Sequence, residues 1–177
     1  MPVDVKVVQD RTKQVKAGLK ALIQDRVLVG IPSEKAFRAP EPGEKRPLNN
    51  AEIGYLQENG APEINLPARP HLVPGVQRVQ PQIVAEYRKV TLKALTSATD
   101  PAGFVRAAET RIGFLATSSV KNLIADGISP PLAERTIAAR KKRGRDGVTP
   151  LLDTGAYRNS IDFVIRPAGS AKRKKKK

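Results

Sequence analysis

Three groups of residues in this sequence have types and spacings that chemistry uses. The string Leu151-Leu152-Asp153-Thr154-Gly155-Ala156 has the shape of a retroviral-type aspartic protease signature, whose aspartate shares a proton with a second one across a dimer axis. Too few residues follow Gly155 for the flap and further strands of such a half-site, and the last six are basic. The expectation is therefore a helix cap, with an Asp153 or Thr154 oxygen accepting from backbone N–H groups. The single histidine, His71, stands in Ala68-Arg69-Pro70-His71-Leu72, and the chain has no cysteine. That excludes multi-histidine and cysteine-ligated metal centres, Fe–S clusters, disulfides and thiol catalysis. As a general base His71 would need an orienting carboxylate, so a structural or surface role is expected. Asp126, Asp146 and Asp153 form no recognisable arrangement, and phosphate-cradling loops, dinucleotide fingerprints and nucleophile elbows are missing. The reading is non-enzymatic, without metal or cofactor.

The third group is cationic. The chain of 177 residues holds 32 Lys+Arg against 17 Asp+Glu, a net charge of +15. Most of that excess sits in two short segments: Arg135, Arg140, Lys141, Lys142, Arg143 and Arg145, and the terminal Lys172, Arg173, Lys174, Lys175, Lys176 and Lys177. The remainder of the chain is close to neutral, so the protein has two electrostatic contact points rather than a charged coat. Such segments neutralise phosphates and release counterions, which gives salt-sensitive binding to nucleic acid, or they grip an acidic protein surface. Aromatic residues make up 4% of the chain and none lies in either segment, which argues against a stacking platform for single strands. No motif for reading bases stands out, so a DNA contact would be to the backbone alone.

The elements that must position these residues are mostly helices. Residues 7–25 read as an amphipathic helix with Val8, Val15, Leu19 and Leu22 on one face. Residues 27–32 read as a short strand ended by Pro32. Residues 32–48, with Pro32, Pro40, Pro42, Gly43 and Pro47 among charges, read as an extended arm. A short helix over 49–60 is capped by Asn49 or Asn50 and stopped by Gly60. Pro62, Pro67, Pro70 and Pro74 predict an extended rigid connection. The stripe Leu72, Val76, Val79, Ile83, Tyr87, Val90 and Ala94 predicts a helix that Pro81 kinks or splits. Asp100-Pro101 opens another, with Phe104, Ala108, Ile112, Leu115, Val120 and Leu123 facing inward and Gly127 as its stop. A fourth runs from Ser129-Pro130-Pro131 to Gly144. After a short capped turn through Asn159, residues 161–165 alternate as a strand able to pair with the first. The fold class is α+β: one helix-rich domain over 1–170 with a small sheet, the arm at 32–48 and a basic tail at 171–177. The longest apolar run, near residues 27–31, is far below the ~18 residues of a membrane span. The start, with Asp4 and Asp10, lacks a secretory apolar core, so a soluble protein made in the cytoplasm is expected.

Three stretches together resemble a known family. They are residues 50–60 with 66–72, residues 130–141, and residues 150–161. In order and spacing they are similar to the neck and tail-completion proteins of tailed bacteriophages, the head–tail joining and virion-morphogenesis group. There a helix with the pattern A-x-x-x-E-F/Y-G precedes I-P-A-R-P-F-L, and P-L-x-D-T-G-x-L-x-x-S-I comes near the end. Glu52, Gly54, Pro67, Arg69, Pro70, Asp153, Thr154, Gly155 and Ser160 are the structural positions implied. The match departs at His71, where Phe is usual, at Tyr157, where Leu is usual, and at Asn59 before Gly60. The resemblance implies a structural virion protein that forms, or docks onto, a ring at the head–tail junction. It implies a homo-oligomer with a six-fold ring, partners such as a tail terminator, tail tube or connector ring, a location in the virion after assembly in the host cytoplasm, and no membrane. Pro67 to Pro70 would form a rigid corner, Arg69 would pair with a carboxylate, and the arm would reach the next subunit. The alternative is a small non-specific nucleic-acid-binding protein acting through its basic segments, with genomic DNA as one partner.

Overall fold

A computed structural model of the chain describes residues 10–40, 44, 47–97 and 99–169. The architecture is α+β, helix-rich with a two-stranded antiparallel sheet. The elements run α1 (Thr12–Gln24), β1 (Asp25–Gly30), α2 (Ser33–Ala36), α3 (Asn50–Asn59), α4 (Leu72–Gln77), α5 (Gln80–Thr96), α6 (Pro101–Asp126), α7 (Glu134–Lys142), α8 (Ala156–Ser160) and β2 (Asp162–Pro167), with a 3-10 turn at Pro62–Ile64. The strands pair as expected, in a register running from Asp25 opposite Pro167 to Gly30 opposite Asp162.

α6 is the axis of the molecule. Its 26 residues span roughly 39 Å at helical rise. Asp100 caps it by accepting from the Gly103 N–H at 2.8 Å, and Pro101 occupies the first turn, where its missing N–H costs nothing. The buried stripe is Val105, Ala108, Ile112, Ala116, Val120 and Ile124, each about one turn of the helix from the next. Leu115 and Leu123 lie beside it, half-buried. Around the first half of α6, Ala21 of α1 and Val90 and Ala94 of α5 close one apolar cluster. Around the second half, Val120 and Ile124 pack with Tyr157 and Ile161, flanked by residues of β1, α3 and α4.

Four sequence expectations shift. The α1 face turned inward is Gly18, Ala21 and Leu22, while Val15, Leu19 and Ile23 are exposed; Val8 lies outside the described residues. The cause is close approach: a Cβ on Gly18 would sit 2.5 Å from the Ala94 carbonyl oxygen, so α1 meets α5 through its smallest residues. The arm at 32–48 is folded back where it is described. It forms α2; Arg38 donates to the Leu48 carbonyl at 2.7 Å and pairs with Glu44, and the Asn50 amide reaches the Lys35 and Phe37 carbonyls. The connection after α3 is a tight loop rather than an extended one, closed by paired bonds between Ala61 and Leu66. The helix expected from Ser129 begins only at Glu134, because Pro130 and Pro131 stay outside it, their carbonyls turned toward Arg69. Elsewhere Pro81 does split the long stripe into α4 and α5.

Candidate functional site: a cleft framed by buried arginines

The three motif stretches, far apart in sequence, meet around one cleft. α3 starts with a reciprocal box: the Asn49 side chain accepts from the Glu52 N–H at 2.9 Å, and Glu52 accepts from the Asn49 N–H at 2.8 Å. That is the role of Glu52. Gly54, two residues on, leaves room for α8: a Cβ there would stand 3.0 Å from the Tyr157 hydroxyl and 3.2 Å from Ile31. At the far end of α3, Glu58 turns its carboxylate to the start of α4. It accepts from the N–H groups of His71 at 2.7 Å, Leu72 at 2.9 Å and Val73 at 3.2 Å. One helix thus caps another, satisfying N–H groups that the first turn of α4 cannot pair internally. Burial works against the Glu58 charge, but those three N–H donors outweigh it and hold the carboxyl below its ordinary range.

His71 is fully buried. Its Nδ1 lies 2.9 Å from the Arg69 carbonyl and 3.1 Å from Glu58, and its Nε2 meets the Tyr157 hydroxyl. Burial pushes the ring's pKa down, with the Arg69 carbonyl and Glu58 opposing, so the ring is neutral at pH 7 and its contact with Glu58 is not an ion pair. The tautomer that serves every partner carries its proton on Nδ1 and accepts from the Tyr157 O–H at Nε2. Burial raises the Tyr157 pKa far above the phenol range, so its hydroxyl stays a donor. The rings cross edge to face at 5.5 Å.

Two arginines complete the frame. Arg69 is 6% exposed and donates from Nε to the Pro130 carbonyl at 2.8 Å and from Nη2 to the Pro131 carbonyl at 2.9 Å. It thereby pairs with peptide carbonyls and not with the carboxylate expected. Arg140, also 6% exposed, gathers the carbonyls of Gly147, Thr149 and Leu152 at 2.8, 3.0 and 3.1 Å. Its Nε faces Asp153 at 3.5 Å, and Arg145 reaches the other oxygen of Asp153 at 2.6 Å. Asp153 is therefore clamped between guanidinium groups, the opposite of the carboxylate pair an aspartic protease uses. Nor does it cap α8. Gly155 takes the N-cap position in the left-handed region at φ 80°, and side-chain help comes from Thr154 Oγ1, which accepts from the Ala156 N–H at 3.3 Å. Ser160 closes α8 by donating to the Tyr157 carbonyl at 2.6 Å.

Between these groups lies a cleft of about 300 Å³. Arg69, Arg140 and Asp153 line it, Ile53, Leu66, Leu132 and Leu151 supply apolar surface, and Gln57, Arg135 and Tyr157 also face it. The Gln57 side-chain oxygen is buried there with no donor among the described residues. Pro67 lines the rim, and Pro70 is exposed at the corner. The basic segments are not brought together as one patch. Arg140 and Arg145 are spent on carbonyls and Asp153, whereas Arg135, Lys141, Lys142 and Arg143 stand exposed on or just after α7. Lys172, Arg173, Lys174, Lys175, Lys176 and Lys177 lie outside the described residues. Sequence reasoning misses Glu58 and the hydroxyl of Tyr157. The signal that could have found the second is that His71 and Tyr157 both depart from the family pattern.

Among the described residues no group of three or more His, Cys, Asp or Glu could hold a metal ion, and no helix is long and apolar enough to cross a membrane. Compared with known proteins, the chain matches no family model, no curated protein and no solved structure. The site is therefore interpreted from its own geometry. Arg69, Arg140 and His71 are all spent on orienting loops, which makes the frame a rigid scaffold that presents a cleft.

Proposed function

We propose that this chain is a structural component of the neck or upper tail of a tailed bacteriophage, forming or docking onto a ring at the head–tail junction. One observation carries the reading. Two of the three positions at which the motifs depart from the family pattern, His71 and Tyr157, bond to each other. An apolar pair replaced by a mutually satisfied polar pair leaves the packing scheme in place, because a buried donor and acceptor that meet have no unpaired desolvation cost. The convergence of all three stretches on one cleft supports the same reading. The exposed cations of α7 then serve as contacts to an acidic neighbour ring or, without reading sequence, to DNA passing through the junction. The alternative, a non-specific nucleic-acid binder, is weakened by the loss of Arg140 and Arg145 to internal bonds.

Immunogold labelling of intact particles with an antibody to this chain tests the proposal. Gold at the junction of head and tail is expected. Particles free of gold, with the protein abundant in the infected cell, would overturn it.

A further inference from the structure

The two-strand sheet has an inner and an outer face, and the outer one carries an unusual pair. Phe163 marks the inner face: its ring meets Phe114 of α6 at 5.0 Å and lies against Gly113, where a Cβ would be 2.2 Å from the ring. Val29 stands opposite Phe163 and Val27 opposite Ile165, so these four face α6. Strand alternation sends Arg26 and Leu28, with their partners Arg166 and Val164, the other way. Arg26 is therefore directly opposite Arg166, both exposed. Side chains so placed have Cβ atoms about 5 Å apart, and like charges there destabilise the sheet.

Neither guanidinium makes a hydrogen bond or ion pair with any described residue. Three exposed arginines on the helices do find acids: Arg78 meets Asp126 at 2.7 Å, Arg106 meets Asp25 at 3.0 Å and Arg111 meets Glu86 at 3.1 Å. The acid whose charge Arg166 does influence is Glu34, and that carboxylate is held first by its own backbone N–H and by Ser33 and only last by Arg166. The sheet thus holds two positive groups side by side, a geometry that one carboxylate bridging both would relieve. Two residues along the same face, Leu28 is 47% exposed beside half-buried Val164. An apolar floor next to the arginines adds nothing to a phosphate backbone but suits a polypeptide. The step from one pair to the next, roughly 6.6 Å, is also the step between alternate residues of an extended chain.

We propose that the outer face of this sheet is a docking surface for an extended acidic segment of another polypeptide. A glutamate or aspartate sits between Arg26 and Arg166, and an apolar side chain two positions away covers Leu28 and Val164. The inference does not depend on the neck assignment; it rests on the strand register and the charges alone.

The test uses the full chain and three labelled probes in fluorescence anisotropy at about 0.1 M salt, where longer-range charge effects are screened. The probes are a soluble peptide repeating Glu-Thr-Leu-Thr, the same peptide with Gln for Glu, and a short DNA duplex. Arg26→Glu is expected to weaken the acidic peptide at least about tenfold, to leave the duplex nearly unchanged, and to raise Tm because a carboxylate at that position would face Arg166 as an opposite charge. The double variant Arg26→Gln with Arg166→Gln is expected to lose the peptide as well while remaining folded, which keeps the test open if the glutamate variant misfolds. Equal affinity of wild type and both variants for the acidic peptide would overturn the proposal, as would equal binding of the Gln peptide. Loss of the duplex in parallel with the peptide would make the face a nucleic-acid surface instead. A fall in Tm in both variants would show that the pair is not repulsive, and would overturn it too.

Discussion

The two halves of α6 solve the same packing problem with different materials. At the amino half, α1 and α5 close an apolar cluster of small and branched residues, and the buried Glu109 is 1% exposed with a carboxylate oxygen that lacks a partner among the described residues. At the carboxyl half, Arg69, Arg140 and His71 are all buried and all engaged. The lesson concerns satisfaction rather than polarity. A buried charge whose donors meet carbonyls fixes loops that have no helix or strand of their own, while a buried charge without a partner is a standing cost. Both halves are held by apolar area, and the carboxyl half adds direction.

Breaking the frame should have the largest effect. Arg69→Ala removes two charge-assisted bonds and leaves the Pro130 and Pro131 carbonyls without their donor, so a loss of about 3 kcal/mol is expected in denaturant unfolding. An unchanged midpoint would show that the loop before α7 is held by something other than Arg69.

The His71–Tyr157 pair sharpens the contrast by a double-mutant cycle. His71→Phe strands the Tyr157 hydroxyl and is expected to cost about 2 kcal/mol, while His71→Phe combined with Tyr157→Leu should recover most of it. Proton linkage gives a second readout. The ring's pKa is depressed below 6.5 on folding, so the stability it contributes is present above pH 6.5 and drains as pH falls below it. Both variants should lose that slope. The further loss as pH falls below 4.5 toward the lowered value at which folded Glu58 takes a proton and releases α4 should remain. A loss of stability on acidification from pH 6.5 to about pH 4.5 that survives in the double variant would refute the assignment.

Glu109 gives the smallest effect, of opposite sign. Burial raises its pKa, Asp25 adds to the rise and Arg106 opposes it. The folded chain therefore holds this proton more tightly than the unfolded one. Its contribution is complete below the ordinary 4.5 and is lost as pH rises through the raised value. Glu109→Gln should stabilise the protein by about 1 kcal/mol at pH 8 and leave it unaltered near pH 4. A destabilised variant at pH 8 would mean that the carboxylate has a partner after all, and the contrast between the halves would fail.

How much of this is legible in the residues follows the range of the forces. Helix starts and stops are local, so Asn49, Asp100, Pro81 and Gly127 mark their elements where the structure has them. A short β-branched run and a period-2 alternation likewise foretell the two strands, which the structure pairs with each other. The inward face of α1 is not where periodicity puts it, because periodicity weighs bulk, whereas contact with α5 is decided by how closely two backbones approach at Gly18. The basic run at 135–145 reads as one contact surface, yet its charges divide between solvent and the interior. Nothing in their spacing says that three carbonyls wait for Arg140.

The sequence by itself determined the helix-rich α+β composition, the order of elements, the breaks at proline and glycine, and the two concentrations of positive charge. These depend on residues within a turn or two of each other. Only the tertiary structure decided that Glu58 caps α4, that His71 and Tyr157 satisfy each other across 86 residues of chain, that Asp153 lies between two arginines, and that Arg26 faces Arg166. Each is a pairing between separate segments. A hydrogen bond or charge contact acts over a few ångströms, so its partner is set by the packing that brings the segments together and not by anything written beside it in the chain.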